Sequence, residues 1–145
     1  MPKWRPQWSE RLFIGPCIWL VLRNSVLASL NNTTMMDYHG FYRNVKVTQF
    51  ETNWLTEGLT QLIFFTCTNL SPTDSDAAYT SWGTYNSVSE QTEVYAPVAL
   101  LDKGNTTVVA FGDITWLMDP WIRVGDNYQL AMNLVEEIVR IKNGD

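Results

Sequence analysis

From Asn44 onward the chain alternates: Val45, Val47 and Gln49-Phe50 fall on either side of Lys46 and Thr48 with period two, which predicts a half-buried strand. Leu59 to Thr66 (LTQLIFFT), just after Gly58, is a short β-prone run and predicts a second strand. Ser71 to Ser89 is rich in Ser, Thr, Asp and Gly and has no sustained apolar period, so it reads as a long surface loop carrying Tyr79, Trp82 and Tyr85. Val94 to Leu101 and Thr106 to Phe111 are apolar runs separated by Asp102-Lys103-Gly104-Asn105, a spacing that predicts a β-hairpin. The nearly all-apolar TVVAF run reads as a central strand covered on both faces, with Asp113 at its carboxyl end. Asp126 and Asn127 read as N-cap residues of a helix ending near Lys142. Its apolar stripe is Ala131, Leu134, Val135, Ile138 and Ile141, with Glu136, Glu137 and Arg140 facing solvent. Asn143-Gly144 supply the stop.

The first 44 residues form a distinct segment ahead of a domain spanning 45–145. Lys3, Arg5 and Arg11 precede an eleven-residue apolar stretch, Leu12 to Leu22, and Val26-Leu27-Ala28 resembles a small-residue cleavage site, so one reading is a secretory signal. The other is a buried strand or short helix over Phe13 to Leu22, followed by a short helix capped by Asn24 and running through Leu30. Pro16 inside the stretch and Arg23 directly after it favour the second. Eleven residues span about 16 Å as a helix, too short to cross a bilayer, so any membrane association is expected only through residues 1–30. Localisation follows the choice: extracytoplasmic with a signal, cytoplasmic without one.

Length changes the picture little: 145 residues suit one core, and 46% apolar residues with seven Trp exclude global disorder. Charge changes it more. Residues 1–50 hold six basic and two acidic side chains, while residues 51–145 hold four basic and thirteen acidic, giving +4 against −9. A net charge of −5 lacks the basic field that nucleic acid requires, so no nucleic-acid partner is expected. Two Cys and one His leave too few ligands for a Cys/His zinc site. Asp113, Asp119 and Asp126 lie close in sequence but not in a calcium-loop spacing, and turn or cap roles suit them better, so no metal is expected. Gly104, Gly112 and Gly125 are isolated and no phosphate loop occurs, so no cofactor is expected either. Sequons at Asn31, Asn32, Asn69 and Asn105 are unremarkable in a chain rich in Asn and Thr.

The run from Thr107 to Val139, TVVAFGDITWLMDPWIRVGDNYQLAMNLVEEIV, resembles the closing part of the class I glutamine amidotransferase-like superfamily, in its non-catalytic branch of gliding-motility and intraflagellar-transport-type domains. The resembling positions are Gly112, Asp113, Trp116, Asp126, Asn127, Leu130 and Asn133. Asn53-Trp54-Leu55-Thr56-Glu57-Gly58-Leu59 is similar to the family's His-Pro-Ile-Thr-x-Gly segment with the His-Pro replaced by Asn-Trp, and Ala96-Pro97-Val98 also fits. The likeness covers about residues 45–141 and lacks the family's glycine-rich first half. It implies an α/β fold: a mixed, mainly parallel sheet of flavodoxin-like or amidotransferase-like type flanked by helices, truncated in its N-terminal half, with one antiparallel hairpin.

Catalytic relatives use a Cys on a strand-to-helix elbow with a downstream His and an acid. Cys67 has no flanking Gly and His39 precedes it, while Cys17 follows a Pro, so neither reads as a nucleophile and no enzyme activity is expected. Ser25, Ser71, Ser81 and Ser89 lack a serine-hydrolase setting. The expected function is therefore a catalytically inactive module that binds a protein or carbohydrate at the carboxyl edge of its sheet, through Asp113, Trp116, Asp126, Asn127 and Trp82. Trp121 is a further aromatic in the same loop as Trp116. Asp113, Asp126 and Asn127 also admit a purely structural reading, as one buried polar lock on the loop between them. Two alternatives stand beside the binding module: a cysteine-dependent hydrolase or amidase, and a homo-oligomeric assembly subunit that pairs an exposed sheet edge with a second copy.

Overall fold

The computed structural model describes residues 13–14, 18–19, 27–29, 44–65, 67–70, 75–86, 89–103 and 106–143. In chain order their strands are β1 (Phe13–Ile14), β2 (Ile18–Trp19), β3 (Leu27–Ser29), β4 (Asn44–Phe50), β5 (Leu62–Phe65), β6 (Asp76–Thr80), β7 (Thr84–Asn86), β8 (Gln91–Glu93), β9 (Val98–Lys103) and β10 (Thr106–Phe111). Helix α1 (Asn127–Asn143) closes the described chain. Five strands form a curled half-barrel in the order β10-β9-β6-β4-β5, three form a smaller sheet in the order β3-β7-β8, and β1 pairs with β2.

Every one of these pairings is antiparallel, which overturns the expected mainly parallel α/β sheet of flavodoxin-like or amidotransferase-like type. Neighbouring strands alternate in direction, so among the described residues the strands' carboxyl ends do not share one edge, the arrangement on which the expected crevice depends. The cause is visible at β5. Its four residues LIFF are all buried, a continuous apolar run of the kind that parallel strands show. Here Leu62 and Phe64 face the main core, while Ile63 and Phe65 form a second cluster with Val124 and the half-buried Trp121. The second face is covered by the segment after β10 rather than by a crossover helix.

The Ser/Thr-rich stretch expected as a long loop contains β6 and β7. Ala77, Ala78, Thr80 and Thr84 are buried, and Thr80 is held by hydrogen bonds in both directions with the Tyr95 backbone (2.9 and 3.0 Å). Ala77 and Ala78, whose own strand preference is weak, are held extended by the neighbouring strands β4 and β9. Between these strands the chain passes from one sheet to the other at Ser81-Trp82-Gly83. The turn is pinned by the Ser81 N–H on the Lys46 carbonyl (2.9 Å) and the Thr84 hydroxyl on the Ser81 carbonyl (2.9 Å).

The expected strand over residues 44–50, the hairpin and the C-terminal helix all form. The hairpin's second strand, β10, is the outermost of the five rather than central. Leu27–Ser29 is a strand paired with β7, where a short helix was one expectation. The helix packs Ala131 and Leu134 of its expected stripe against the main core, but its most buried face is rotated away from that stripe. Asn127, Leu130, Asn133 and Glu137 are its buried residues, whereas Val135 and Val139 are about half exposed. Asn133 donates from Nδ2 to the carbonyls of Leu55 and Glu57 (both 2.9 Å), and Glu137 pairs with Arg140 (2.6 Å), so each buried polar group is answered. No helix among the described residues is long and apolar enough to cross a membrane.

Candidate functional site

The segment from Asp113 to Asn127 leaves the end of β10, makes two short 3-10 turns (Thr115–Leu117 and Trp121–Arg123) and arrives at α1 along the free side of β5. Its polar side chains meet β5 at alternate residues. Asp126 Oδ2 accepts the backbone N–H of Thr60 (2.7 Å) and of Gln61 (2.8 Å) and the Thr60 hydroxyl (2.8 Å), while the Asp126 N–H donates to the Gln61 carbonyl (2.8 Å). Two residues along the strand, at Ile63, the partner is Asn127, which is fully buried. Its Oδ1 accepts the Ile63 N–H (3.2 Å) and its Nδ2 donates to the Ile63 carbonyl (2.8 Å) and to that of Trp121 (3.2 Å). Two further on, Asp113 Oδ2 accepts the Phe65 N–H (2.7 Å) and Oδ1 accepts the Thr115 N–H (2.8 Å). The Thr115 hydroxyl lies 2.6 Å from Oδ1 of Asp113 and 3.4 Å from the Phe65 carbonyl.

Local chemistry explains the fit. Gly125, at φ 56°, sits where an added Cβ would come within 2.8 Å of the Gln61 carbonyl, so only glycine brings Asp126 to the strand without strain. The Asp126 carbonyl accepts the first helical hydrogen bond, from Leu130 (2.9 Å), while its carboxylate reaches outward to Thr60 and Gln61 instead of capping its own helix. Asp113, Asp126 and Asn127 are thus brought together along one strand. Trp116 is fully enclosed in the main core, its ring 5.1 Å from that of Phe111 and 6.1 Å from that of Phe64. Trp121 packs against Phe65, their rings 4.4 Å apart and inclined by 40°. Trp82 is 78% exposed in the turn between the two sheets.

Thr60, Gln61 and Thr115, partners of these carboxylates, were not singled out from sequence. A Thr two residues after a strand-ending Asp is the one local signal that could have marked Thr115.

The two carboxyls are shifted in opposite directions from their ordinary value. Burial pushes the Asp113 carboxyl above its ordinary 3.8, against hydrogen bonds from Thr115, Phe65 and Ile114 that pull it down. Burial also raises Asp126, but the hydrogen bonds from Thr60 and Gln61 outweigh it and leave that carboxyl below 3.8. What Asp113 contributes to stability through its shift is present below 3.8 and lost as pH rises through its raised value. What Asp126 contributes is present above 3.8 and lost as pH falls through its lowered value. In urea titrations across pH, Asp126→Asn is expected to flatten the acid limb of the stability profile, and Asp113→Asn to flatten the decline on the neutral side of 3.8.

The remaining chemical candidates separate clearly. Cys67 is fully buried, and its thiol is pushed well above its ordinary value by burial and then by the Asp113 charge, the reverse of what a nucleophile needs. Cys17 and His39 lie outside the described residues. Asp119 forms an exposed i,i+4 pair with Arg123 (3.2 Å), and no group of three metal-ligating side chains occurs among the described residues.

The described residues also form concave surfaces, two of which bear on binding. One, of about 640 Å³, lies at the 50–59 turn beside Phe50, Glu51, Glu57 and Leu59. The polar side chains deepest in that turn are spent on it: Asn53 Oδ1 accepts the N–H groups of Leu55 and Thr56, and the Thr56 hydroxyl donates to the Glu51 carbonyl. The other, of about 180 Å³, lies where the two sheets meet and is lined by Asp76, Tyr79, Glu93 and Tyr95 among others. Burial, then the charges of Asp76 and Glu51, raise the Tyr79 phenol. No family model matches this chain, and neither the curated proteins nor the solved structures contain a significant match to it.

Proposed function

We propose that this chain is a non-catalytic binding module that holds a protein partner at the junction of its two sheets, with Trp82 as the anchor. The observation that carries this reading is the contrast between the tryptophans. Trp116 is enclosed and Trp121 packs against Phe65, whereas Trp82 is 78% exposed on a turn pinned by hydrogen bonds to Lys46 and within the turn. A large aromatic ring held on a rigid turn binds at small entropic cost, which is why Trp is enriched among the residues that dominate interfaces.

The groove with Asp76, Tyr79 and Glu93 adds the polarity of the partner. Its β6 wall ends two residues before Trp82, and Glu93 pairs with Thr84 two residues after it. With a net −9 over residues 51–145, this body favours a partner segment that presents Lys or Arg. A carbohydrate partner has weaker support, because the two loop tryptophans that would have offered stacking platforms are engaged by the protein itself.

Selection of a random displayed peptide library on the full chain tests the reading. Enriched peptides are expected to carry basic residues and to bind Trp82→Ala at least about tenfold more weakly, as loss of an interface anchor requires. The same substitution is expected to move the unfolding free energy by less than about 0.5 kcal/mol, since it alters an exposed side chain. Enriched peptides that bind the variant equally well would sink the assignment of Trp82, and enrichment of acidic peptides would sink the charge argument.

A further inference from the structure

We propose that the Asp113–Asn127 segment is a strand surrogate whose task is to keep the outer edge of β5 from pairing with β5 of a second copy of this chain. Along an antiparallel strand, alternate residues turn their N–H and C=O toward the same neighbour. On β5 and the residue before it, those turned away from β4 are Gln61, Ile63 and Phe65. Their three N–H groups go to Asp126 Oδ2, Asn127 Oδ1 and Asp113 Oδ2. Their carbonyls meet the Asp126 N–H, Asn127 Nδ2 and, at 3.4 Å, the Thr115 hydroxyl. A neighbouring strand would answer the same six groups with backbone; here five of the six partners are side-chain atoms. The carboxamide of Asn127 imitates one peptide unit, donating to and accepting from the same residue.

What the surrogate excludes is a copy of the strand itself. Residues 60–65, TQLIFF, are β-prone and uncharged and contain neither Pro nor Gly, the composition that pairs edge to edge and stacks. An antiparallel two-fold pairing centred on Ile63 sets Ile63 against itself and Gln61 against Phe65 of the other copy, with no charge in either segment to oppose it. Edge strands of this kind are ordinarily guarded by an added charge, a Pro or a bulge. Here the guard is a set of side chains borrowed from a distant segment.

The test uses the full chain with Asn127→Leu, similar in size but with neither donor nor acceptor, and with Thr115→Val as a milder second variant should the first fail to fold. Each is followed by light scattering over a concentration series and by hydrogen exchange at the Ile63 and Phe65 amides. In the wild type both amides are expected to exchange slowly at a rate independent of concentration. In Asn127→Leu at low concentration the Ile63 amide is expected to exchange about tenfold faster. As concentration rises, its protection should return while the mass climbs toward twice the wild-type value. In Thr115→Val the same pattern is expected, weaker and centred on Phe65. A folded variant whose mass matches the wild type at every concentration, or whose exchange at these amides does not respond to concentration, overturns the proposal. So does a wild type whose own protection at Ile63 rises with concentration.

Discussion

Trp116→Ala lowers the unfolding free energy by about 3–5 kcal/mol, measured from urea midpoints at constant slope. Trp116 is the largest fully buried side chain described, and its ring meets those of Phe64 and Phe111 while Phe64 and Phe111 meet edge-on at 6.5 Å. Truncation removes the apolar area and leaves a cavity bounded by two rigid rings from different strands, which cannot collapse toward one another without moving β5 or β10. Against a typical total of about 5–15 kcal/mol, such a loss leaves a substantial unfolded population near 37 °C. Trp116→Phe separates packing from polarity. It keeps a ring in the cluster and removes an indole N–H that finds no acceptor among the described residues, so its cost is expected to be a small fraction of the alanine loss. Equal costs for the two variants would place the importance of Trp116 somewhere other than ring packing.

Gly112→Ala is the second large effect, at about 3 kcal/mol or more. The strand-ending Gly-Asp pair suggests a glycine needed for a sharp turn, yet φ at Gly112 is not positive; the requirement is space. A Cβ there would overlap the Thr68 carbonyl oxygen and come within 2.9 Å of Cys67 Sγ. The backbone cannot retreat, because the Gly112 N–H donates to the Pro97 carbonyl (2.8 Å) and its own carbonyl accepts the Thr68 N–H (2.9 Å). Asp113 follows directly, so a shift at Gly112 also pulls the carboxylate from the Phe65 N–H. The expected result is a lowered urea midpoint together with faster exchange at Phe65. An unfolding free energy within about 0.5 kcal/mol of wild type would mean that the 67–70 segment yields freely.

Elements with strong local signals were legible in the sequence. The alternation from Val45 to Phe50, the Asp-Lys-Gly-Asn hairpin and the periodic C-terminal helix depend on contacts close in the chain or on an unambiguous period. The sheet's direction was not legible, because an uninterrupted apolar run such as LIFF reports burial on two faces and says nothing about what supplies the second cover. Strands β6 and β7 are not legible because Ala, Asp and Asn are weak strand formers that are held extended here by long-range pairing, β6 by β4 and β9 and β7 by β3 and β8. Asp113, Asp126 and Asn127 stood out as a group, and a polar lock was one reading of them. Their partners lie between 48 and 66 residues away, so the residues they serve could not be named from local pattern.

That separation sets an order of events in the cell. Translation runs from the amino end, so Gln61 to Phe65 are made, and emerge, before Asp113, Asp126 and Asn127 do. Phe65 waits 48 residues for Asp113, Ile63 waits 64 for Asn127, and Thr60 waits 66 for Asp126. At ribosomal rates of about 5–20 residues per second, the longest of these gaps lasts roughly 3–13 s. For that interval each nascent chain displays an uncovered apolar strand beside those on neighbouring ribosomes of the same message. Slowing the codons between 66 and 127 therefore lengthens the exposure without altering a single residue, and the yield of folded protein becomes a property of elongation speed as well as of sequence.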